Sequence, residues 1–303
     1  MMHRPAPLLL FTYKRLETLR QTVASLQNNF LASETELIIF SDGPKSPADA
    51  EIIEEVRKFL ATVDGFKKVH IHKSESNRGL ATSIISGVTT VFETHDKLIV
   101  LEDDLITTPN FLSFMNFCLN EYADSGNVFS VSGYSFNLQP KPGEVADVYF
   151  LNRGWSWGWA TWKDRWTGVD WEVKDYAAFS TNKKARTAFA KGGSDLNAML
   201  RKQMSGELDS WAIRWFFHQY KVGGLTAYPV FSKVLNNGFD SEATHTTGSS
   251  QRYRPSLDME NKTAFRGTPV ENNTYYQQLF SDKMGIKSRI ISKVRTIFKK
   301  IAG

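Results

Sequence analysis

Lys97-Leu98-Ile99-Val100-Leu101-Glu102-Asp103-Asp104 is an apolar run of strand length that ends in three adjacent carboxylates. Ligands of open parallel sheets bind outside the carboxyl ends of the strands, so an acidic turn at that place faces a crevice. Neighbouring carboxylates repel one another unless a cation or hydrogen-bond donors neutralise them, and hard oxygen ligands suit Mg2+ or Mn2+. The alternative is a solvated turn capping the helix that follows, because acids favour helix N-termini. Placement at a predicted crevice, and not on an exposed helix face, favours the metal.

Upstream of this stretch, short apolar runs alternate with segments of helical spacing, the pattern of a parallel sheet with crossover helices. Leu8 to Phe11 is the first strand, followed by the polar turn Thr12 to Arg15 and a helix marked by Leu16, Leu19, Val23 and Leu26. Glu36 to Phe40 is the second strand and ends at Ser41-Asp42-Gly43-Pro44. A helix around Ile52 to Leu60, the strand Lys68 to His72, a loop through Asn77-Arg78-Gly79 and a helix near Ala81 to Phe92 lead to the acidic strand. Beyond it the spacing predicts a helix from about Asn110 to Tyr122 and a fifth strand around Val128 to Ser132. Thr12, Arg15, Asp42, Arg78, Glu102, Asp103 and Asp104 all follow strands, so they are expected to converge on one crevice.

The 303 residues, 41% of them hydrophobic, are enough to bury a substantial core. No apolar run approaches the roughly 18 residues of a membrane-spanning helix, and Leu8 to Phe11 is too short for a secretory h-region. A cytoplasmic location is therefore expected. Cys118 is the single cysteine; it excludes an internal disulfide framework and reads as a buried, inert thiol. The net charge of +5 admits anionic partners without choosing among them. Much of the basic charge lies in Ile286 to Ile301, where apolar residues at helical spacing alternate with Lys and Arg and no acid intervenes. This predicts an amphipathic helix on an anionic membrane surface, making the chain peripheral on the inner face of the membrane; the alternative is a helix docked on its own domain. No nucleic-acid recognition motif accompanies the basic residues, so no nucleic-acid partner is expected. The G-x-G-x-x-G and G-x-x-x-x-G-K-[ST] loops are absent, which disfavours nicotinamide dehydrogenases and P-loop enzymes.

Past Gly133 the alternation stops, and Pro140 to Pro142 marks a loop. In the aromatic block that follows, Trp155 and Trp157 share a face if extended, whereas Trp159, Trp162 and Trp166 fit helical spacing and core packing. Their rings could equally stack on sugars. Glu207-Leu208-Asp209-Ser210-Trp211 places acids just ahead of an apolar, aromatic helix, where Asp209 serves either as a helix cap or as a general base. His70 and His72 alternate on a strand without other ligand types nearby and read as structural. Ser249 to Asn273 is polar and poorly periodic, as a surface excursion would be.

These residues carry a family resemblance. The chain resembles bacterial family 2-like glycosyltransferases with the GT-A fold over roughly Pro7 to Thr247. The likeness rests on Phe11-Thr12-Tyr13-Lys14-Arg15, Phe40-Ser41-Asp42-Gly43, Asn77-Arg78-Gly79-Leu80-Ala81 and Gly158-Trp159-Ala160-Thr161-Trp162. It rests also on Glu102-Asp103-Asp104, similar to the E-D-D variant of the D-x-D motif shared with the N-acetylglucosaminyltransferase I group. The resemblance implies an α/β, Rossmann-like GT-A fold with a mostly parallel central sheet flanked by helices. Residues 1–135 would form the nucleotide-sugar half, 136–250 the acceptor half of the same domain, and 251–303 the polar excursion and basic helix.

The resemblance also implies roles. Asp42 would accept a hydrogen bond from the donor base, while Thr12, Arg15 and Arg78 help hold ribose and diphosphate, with Glu102 and Asp103 beside them. Asp104 would bind Mn2+ or Mg2+, and His245, in a segment similar to the family's closing T-H motif, would ligate the metal or contact the diphosphate. Asp209 would be the base, with Glu207 its rival, because Ala212 stands where many relatives carry a further acid. The implied activity is inverting transfer of a hexosyl or N-acetylhexosaminyl group from a nucleotide-diphosphate donor, UDP foremost, to a glycan or lipid-linked acceptor in surface polysaccharide synthesis. A sugar nucleotidyltransferase would need a Gly-rich loop after the first strand, and Thr12-Tyr13-Lys14-Arg15 has no glycine. A carbohydrate-binding module built on the tryptophans would leave the crevice acids without a task.

Overall fold

The computed structural model describes residues 4–238 and 253–285, with 288 and 290. The first part of the chain forms β1 (Leu8–Thr12), α1 (Leu16–Gln27), β2 (Glu36–Ser41), α2 (Ala50–Leu60), β3 (Lys68–Lys73), α3 (Leu80–Val91) and β4 (Lys97–Glu102). Then come β5 (Leu105–Thr107), α4 (Phe111–Glu121), β6 (Val128–Ser132), β7 (Val148–Leu151), β8 (Trp159–Trp162), α5 (Lys163–Thr167), α6 (Tyr176–Thr181) and α7 (Lys183–Phe189). The last described elements are α8 (Leu196–Met204), α9 (Trp211–Lys221), β9 (Leu225–Pro229), β10 (Val234–Asn236) and α10 (Thr274–Met284).

Among the described residues an eight-stranded sheet has the order β3-β2-β1-β4-β8-β6-β9-β7. β3, β2, β1 and β4 pair in parallel, with Leu8 opposite both Leu37 and Ile99. β8 enters antiparallel between β4 and β6, β9 runs parallel to β6, and β7 closes the edge antiparallel to β9. Side chains alternate across each strand, so successive residues feed two cores. Leu8, Leu10, Ile99 and Leu101 pack with Leu19, Val23 and Leu26 of α1 and with α4; Leu9, Phe11, Leu98 and Val100 pack with Ile84 and Val88 of α3 and with α9. The result is an α/β fold whose mostly parallel sheet is covered by helices on both faces, as a GT-A fold requires. Burying each such aliphatic side chain contributes about 1.5–3 kcal/mol, so a helix such as α2, which buries Ile53, Val56 and Leu60, is held by packing more than by propensity.

The elements expected up to Ser132 are present, with ends displaced by no more than a residue or two. Trp159–Trp162 departs from expectation. It is a strand and not part of a helix, and all four of its residues are buried. Trp159 packs on the α3/α9 side and Trp162 on the α1/α4 side, where its indole Nε1 donates to the Leu119 carbonyl at 3.0 Å. Core packing of Trp159, Trp162 and Trp166 holds all the same, and Trp159, Trp166, Trp171, Trp211 and Trp215 form one contiguous set of rings. Trp155 and Trp157 lie in the connection before β8 and pack edge to face.

The segment from Tyr253 to Asn273 is anchored, not merely laid on the surface. Asp258 pairs with Lys233, each side chain only 4% exposed, and accepts from Asn110 Nδ2 at 2.8 Å. Phe265 meets Phe114 edge-on at 5.3 Å. From 253 to 273 Asp258 alone is buried, so the polar stretch runs over the surface between these anchors. The helix expected over Ile286 to Ile301 lies outside the described residues apart from Ser288 and Ile290. No helix among the described residues is long and apolar enough to cross a membrane.

Candidate active site

The β1–α1 loop and the turn after β4 are brought together because β1 and β4 are register neighbours, with Phe11 opposite Glu102. Thr12 Oγ1 donates to Asp103 Oδ2 at 2.7 Å, and the Tyr13 amide donates to the same oxygen at 3.1 Å. Arg15, the residue that enters α1, places Nη1 2.9 Å from Asp104 Oδ2. The turn is fixed from the other side by the ribbon β5–β10, in which Leu105 pairs with Asn236. Directly after it the Asn237 amide donates to the Asp104 carbonyl at 2.8 Å. Glu102 continues the strand face of Leu98 and Val100, the face covered by α3 and α9.

Crowding three carboxylates in a poorly solvated turn raises their proton affinity. Burial, then Asp104 and Asp103, push Glu102 up to about 8, with Arg15 opposing. Burial and the Asp104 charge push Asp103 up to about 6, although Thr12 and Tyr13 donate to it. Among the described residues no three His, Cys, Asp or Glu side chains converge as a closed metal cage. Mg2+ and its analogues seldom need one: they take one or two carboxylates and complete the shell with waters and substrate phosphates. Two features fit this. The Asp104 carboxylate already receives a cationic group, and Gly238 leaves it room, since a Cβ there would stand 2.0 Å from Asp104 Oδ2.

Asp42, at the end of β2, has a carboxylate that the chain itself uses. Its oxygens accept from the amides of Gly43 at 2.9 Å, Arg78 at 2.9 Å and Gly79 at 3.1 Å, and from Asn77 Nδ2 at 3.0 Å. A carboxylate offers about four acceptor positions, so these donors occupy it, and a base N–H would have to share one of them. Asp42 thereby fixes the loop carrying Arg78. Gly79 then opens α3 with φ of +76° and ψ of 155°, a region of backbone space that is essentially reserved for glycine. Asn77 was quoted within its motif but given no role by the sequence; its side chain proves part of the brace.

Tyr13, Lys14 and Asp49 form a further contact that the sequence did not disclose. Tyr13 Oη donates to Asp49 at 3.1 Å and Lys14 Nζ approaches it at 2.9 Å, linking the loops after β1 and β2. The Lys14 contact holds the Asp49 carboxyl down at about 2, and burial raises the Tyr13 phenol.

The other acids enter from α9. Trp211 stacks on Trp159 at 4.8 Å, and Trp159 pairs with Val100, two residues before Glu102. Trp211, at the α9 N-terminus, is thus near the carboxyl end of β4, on the face that Glu102 continues; Glu207 and Asp209 precede it in the chain and meet Arg201 and Arg214. Ser210 caps α9 by accepting from the Ile213 amide, so Asp209 is not the capping residue. Asp209 is 67% exposed and meets Arg214 at 3.2 Å; Glu207 is 51% exposed and meets Arg201 at 3.2 Å. Hydrogen bonding from Ser205, and then the Arg201 charge, lower the Glu207 pKa, making it the weaker proton acceptor of its kind. His245 lies outside the described residues. His70 faces Glu36 and His72 stacks on Phe40 at 4.9 Å, both within the sheet and away from the acidic turn. Cys118 is buried and its thiol is pushed up by that burial.

Residues 8–142 match the family described as glycosyl transferase family 2. This stretch contains β1 to β6 with Thr12, Arg15, Asp42, Arg78 and the acidic turn. No curated protein matches the chain. Among solved structures, a mannosyltransferase from Pyrobaculum calidifontis in complex with GDP-Man and Mn2+ is 9% identical with a TM-score of 0.35, over 54% of this chain and 46% of that one. TarS of S. aureus is 11% identical with a TM-score of 0.29, over 42% of this chain and 21% of that one. The chain thus spans less than half the length of either structure.

Proposed function

We propose that this chain is an inverting, divalent-metal-dependent glycosyltransferase of the hexosyl or N-acetylhexosaminyl class. It moves a sugar from a nucleotide-diphosphate donor, UDP foremost, to a glycan or lipid-linked acceptor in bacterial surface polysaccharide synthesis at the inner face of the membrane. The observation that carries the reading is the acidic turn Glu102-Asp103-Asp104, clasped by Thr12, Tyr13 and Arg15 at the carboxyl end of a mostly parallel sheet. The family match over residues 8–142 supports it.

Asp104 would hold Mn2+ or Mg2+, with His245 as the second protein contact suggested by the family resemblance. When bound, the cation supplies neutralisation of the diphosphate as it leaves. Arg78, on the loop braced by Asp42, and Arg15 bind phosphate oxygens through planar guanidinium forks. Asp209 takes the proton from the acceptor hydroxyl, whose oxygen forms the new bond to the anomeric carbon. The bond from that carbon to the diphosphate oxygen breaks, and its electron pair stays on the diphosphate. One displacement inverts the configuration.

The test is a thermal-shift panel of UDP, GDP, dTDP and CMP, each with and without Mn2+ or Mg2+, repeated on Asp104→Ala. Stabilisation by one nucleoside diphosphate that needs metal and vanishes in Asp104→Ala is the expected result. A folded protein indifferent to every nucleotide would sink the reading and leave a carbohydrate-binding protein built on its tryptophans.

A further inference from the structure

The Arg15–Asp104 pair is assembled from three separated pieces of chain. Arg15 enters α1, Asp104 ends the acidic turn, and Asn237-Gly238 closes over both after β10. The two side chains are 16% and 19% exposed, so the contact is shielded much more than a surface ion pair. A Cβ at position 238 would lie 2.0 Å from Asp104 Oδ2 and 3.1 Å from Arg15 Nη1. The turn is drawn in on the Gly238 amide, which donates to Asn236 Oδ1 at 2.7 Å. A side chain at 238 would therefore displace the Asp104 carboxylate or the Arg15 guanidinium from this contact.

A guanidinium on a carboxylate oxygen competes with a divalent cation for it, by repulsion between the two positive charges as well as by position. We propose that Arg15 is the resting counter-ion of Asp104: it holds the oxygen that a divalent cation takes, and transfers to the donor diphosphate when the cation enters. This rests on the reading of Asp104 as a metal ligand. It follows that cation and nucleoside diphosphate bind cooperatively. Cation alone must break the Arg15 contact, whereas a diphosphate draws Arg15 off Asp104 and so opens the oxygen to the cation.

The test is Mn2+ titration of the full chain, read from the paramagnetic resonance signal of free Mn2+, with and without UDP. Wild type is compared with Arg15→Gln, Arg15→Lys and Asp104→Asn, each checked for folding by circular dichroism. Arg15→Gln should bind Mn2+ alone about tenfold more tightly than wild type, the size of an ordinary coupling, and lose the cooperativity with UDP. Arg15→Lys keeps the charge but not the fork, so it falls between the two and serves if the glutamine variant does not fold. Unchanged or weaker Mn2+ binding in both Arg15 variants, with binding abolished in Asp104→Asn, overturns the counter-ion proposal and leaves the metal ligand standing. Binding that survives Asp104→Asn, or is absent from every protein, removes the metal reading itself.

Discussion

The carboxylates that follow the parallel strands and those ahead of α9 are held by different means. Asp42 and Asp103 receive main-chain amides at fixed distances, from Gly43, Arg78 and Gly79 in one case and from Tyr13 in the other. Glu207 and Asp209 are exposed and held by long arginine side chains. Backbone donors are set when the sheet forms, whereas an exposed ion pair is worth about 1 kcal/mol or less and yields to a competing ligand. The loops after β1, β2 and β4 are thus built rigid, and the segment ahead of α9 can adjust to what approaches it.

The sharpest break of this contrast is in activity. Asp209→Asn should reduce kcat by about 10²–10⁴, the usual contribution of a positioned base, with nucleotide binding and melting temperature close to wild type. Steady-state kinetics with a donor identified by the thermal-shift panel would show it; near-normal turnover would take the role from Asp209. Asp42→Ala should do the reverse at first, costing roughly 3 kcal/mol of stability, because several buried donors lose their acceptor together. Urea unfolding reads this directly, and a loss under about 1 kcal/mol would mean that the loop is not braced as described.

A smaller effect separates the acidic turn from both. Glu102 and Asp103 have folded-state pKa values above the ordinary carboxylate range, at about 8 and about 6. The folded chain thus binds more protons than the unfolded one in that window, and stability falls as pH rises from about 4 through about 8. In chelator the melting temperature should drop across this range. Glu102→Gln should flatten most of the drop, and added Mg2+ should restore the loss in wild type. A melting temperature that rises over the same interval would contradict the burial of these acids. Least of all should come from Glu207→Gln, with stability within about 0.5 kcal/mol and turnover near wild type. A large loss of turnover there, with Asp209→Asn unaffected, would exchange the two roles.

The first half of the fold was legible because each strand there is an apolar run and each helix has a stripe of its own, as with Leu19, Val23 and Leu26 on α1. β8 was not: a short strand buried on both faces shows no alternation, and the spacing of Trp159, Trp162 and Trp166 imitates a helix. The acidic turn could be found from composition and position. The occupation of Asp42 could not, since main-chain amides leave no mark on residue type. Gly238 is the same kind of case, because what it leaves room for, Asp104, lies more than a hundred residues away in sequence and meets it only through the pairing of β5 with β10.

The indole cluster has a practical consequence. Trp211 stands two residues from Asp209 and shares ring contacts with Trp159, itself in contact with Trp166 and Trp215. Five of the eight tryptophans thus form one optical unit spanning β8, α5 and α9. Any shift of the α9 entrance alters ring spacing inside that unit. The chain carries its own fluorescent gauge of movement at that entrance, readable without a label.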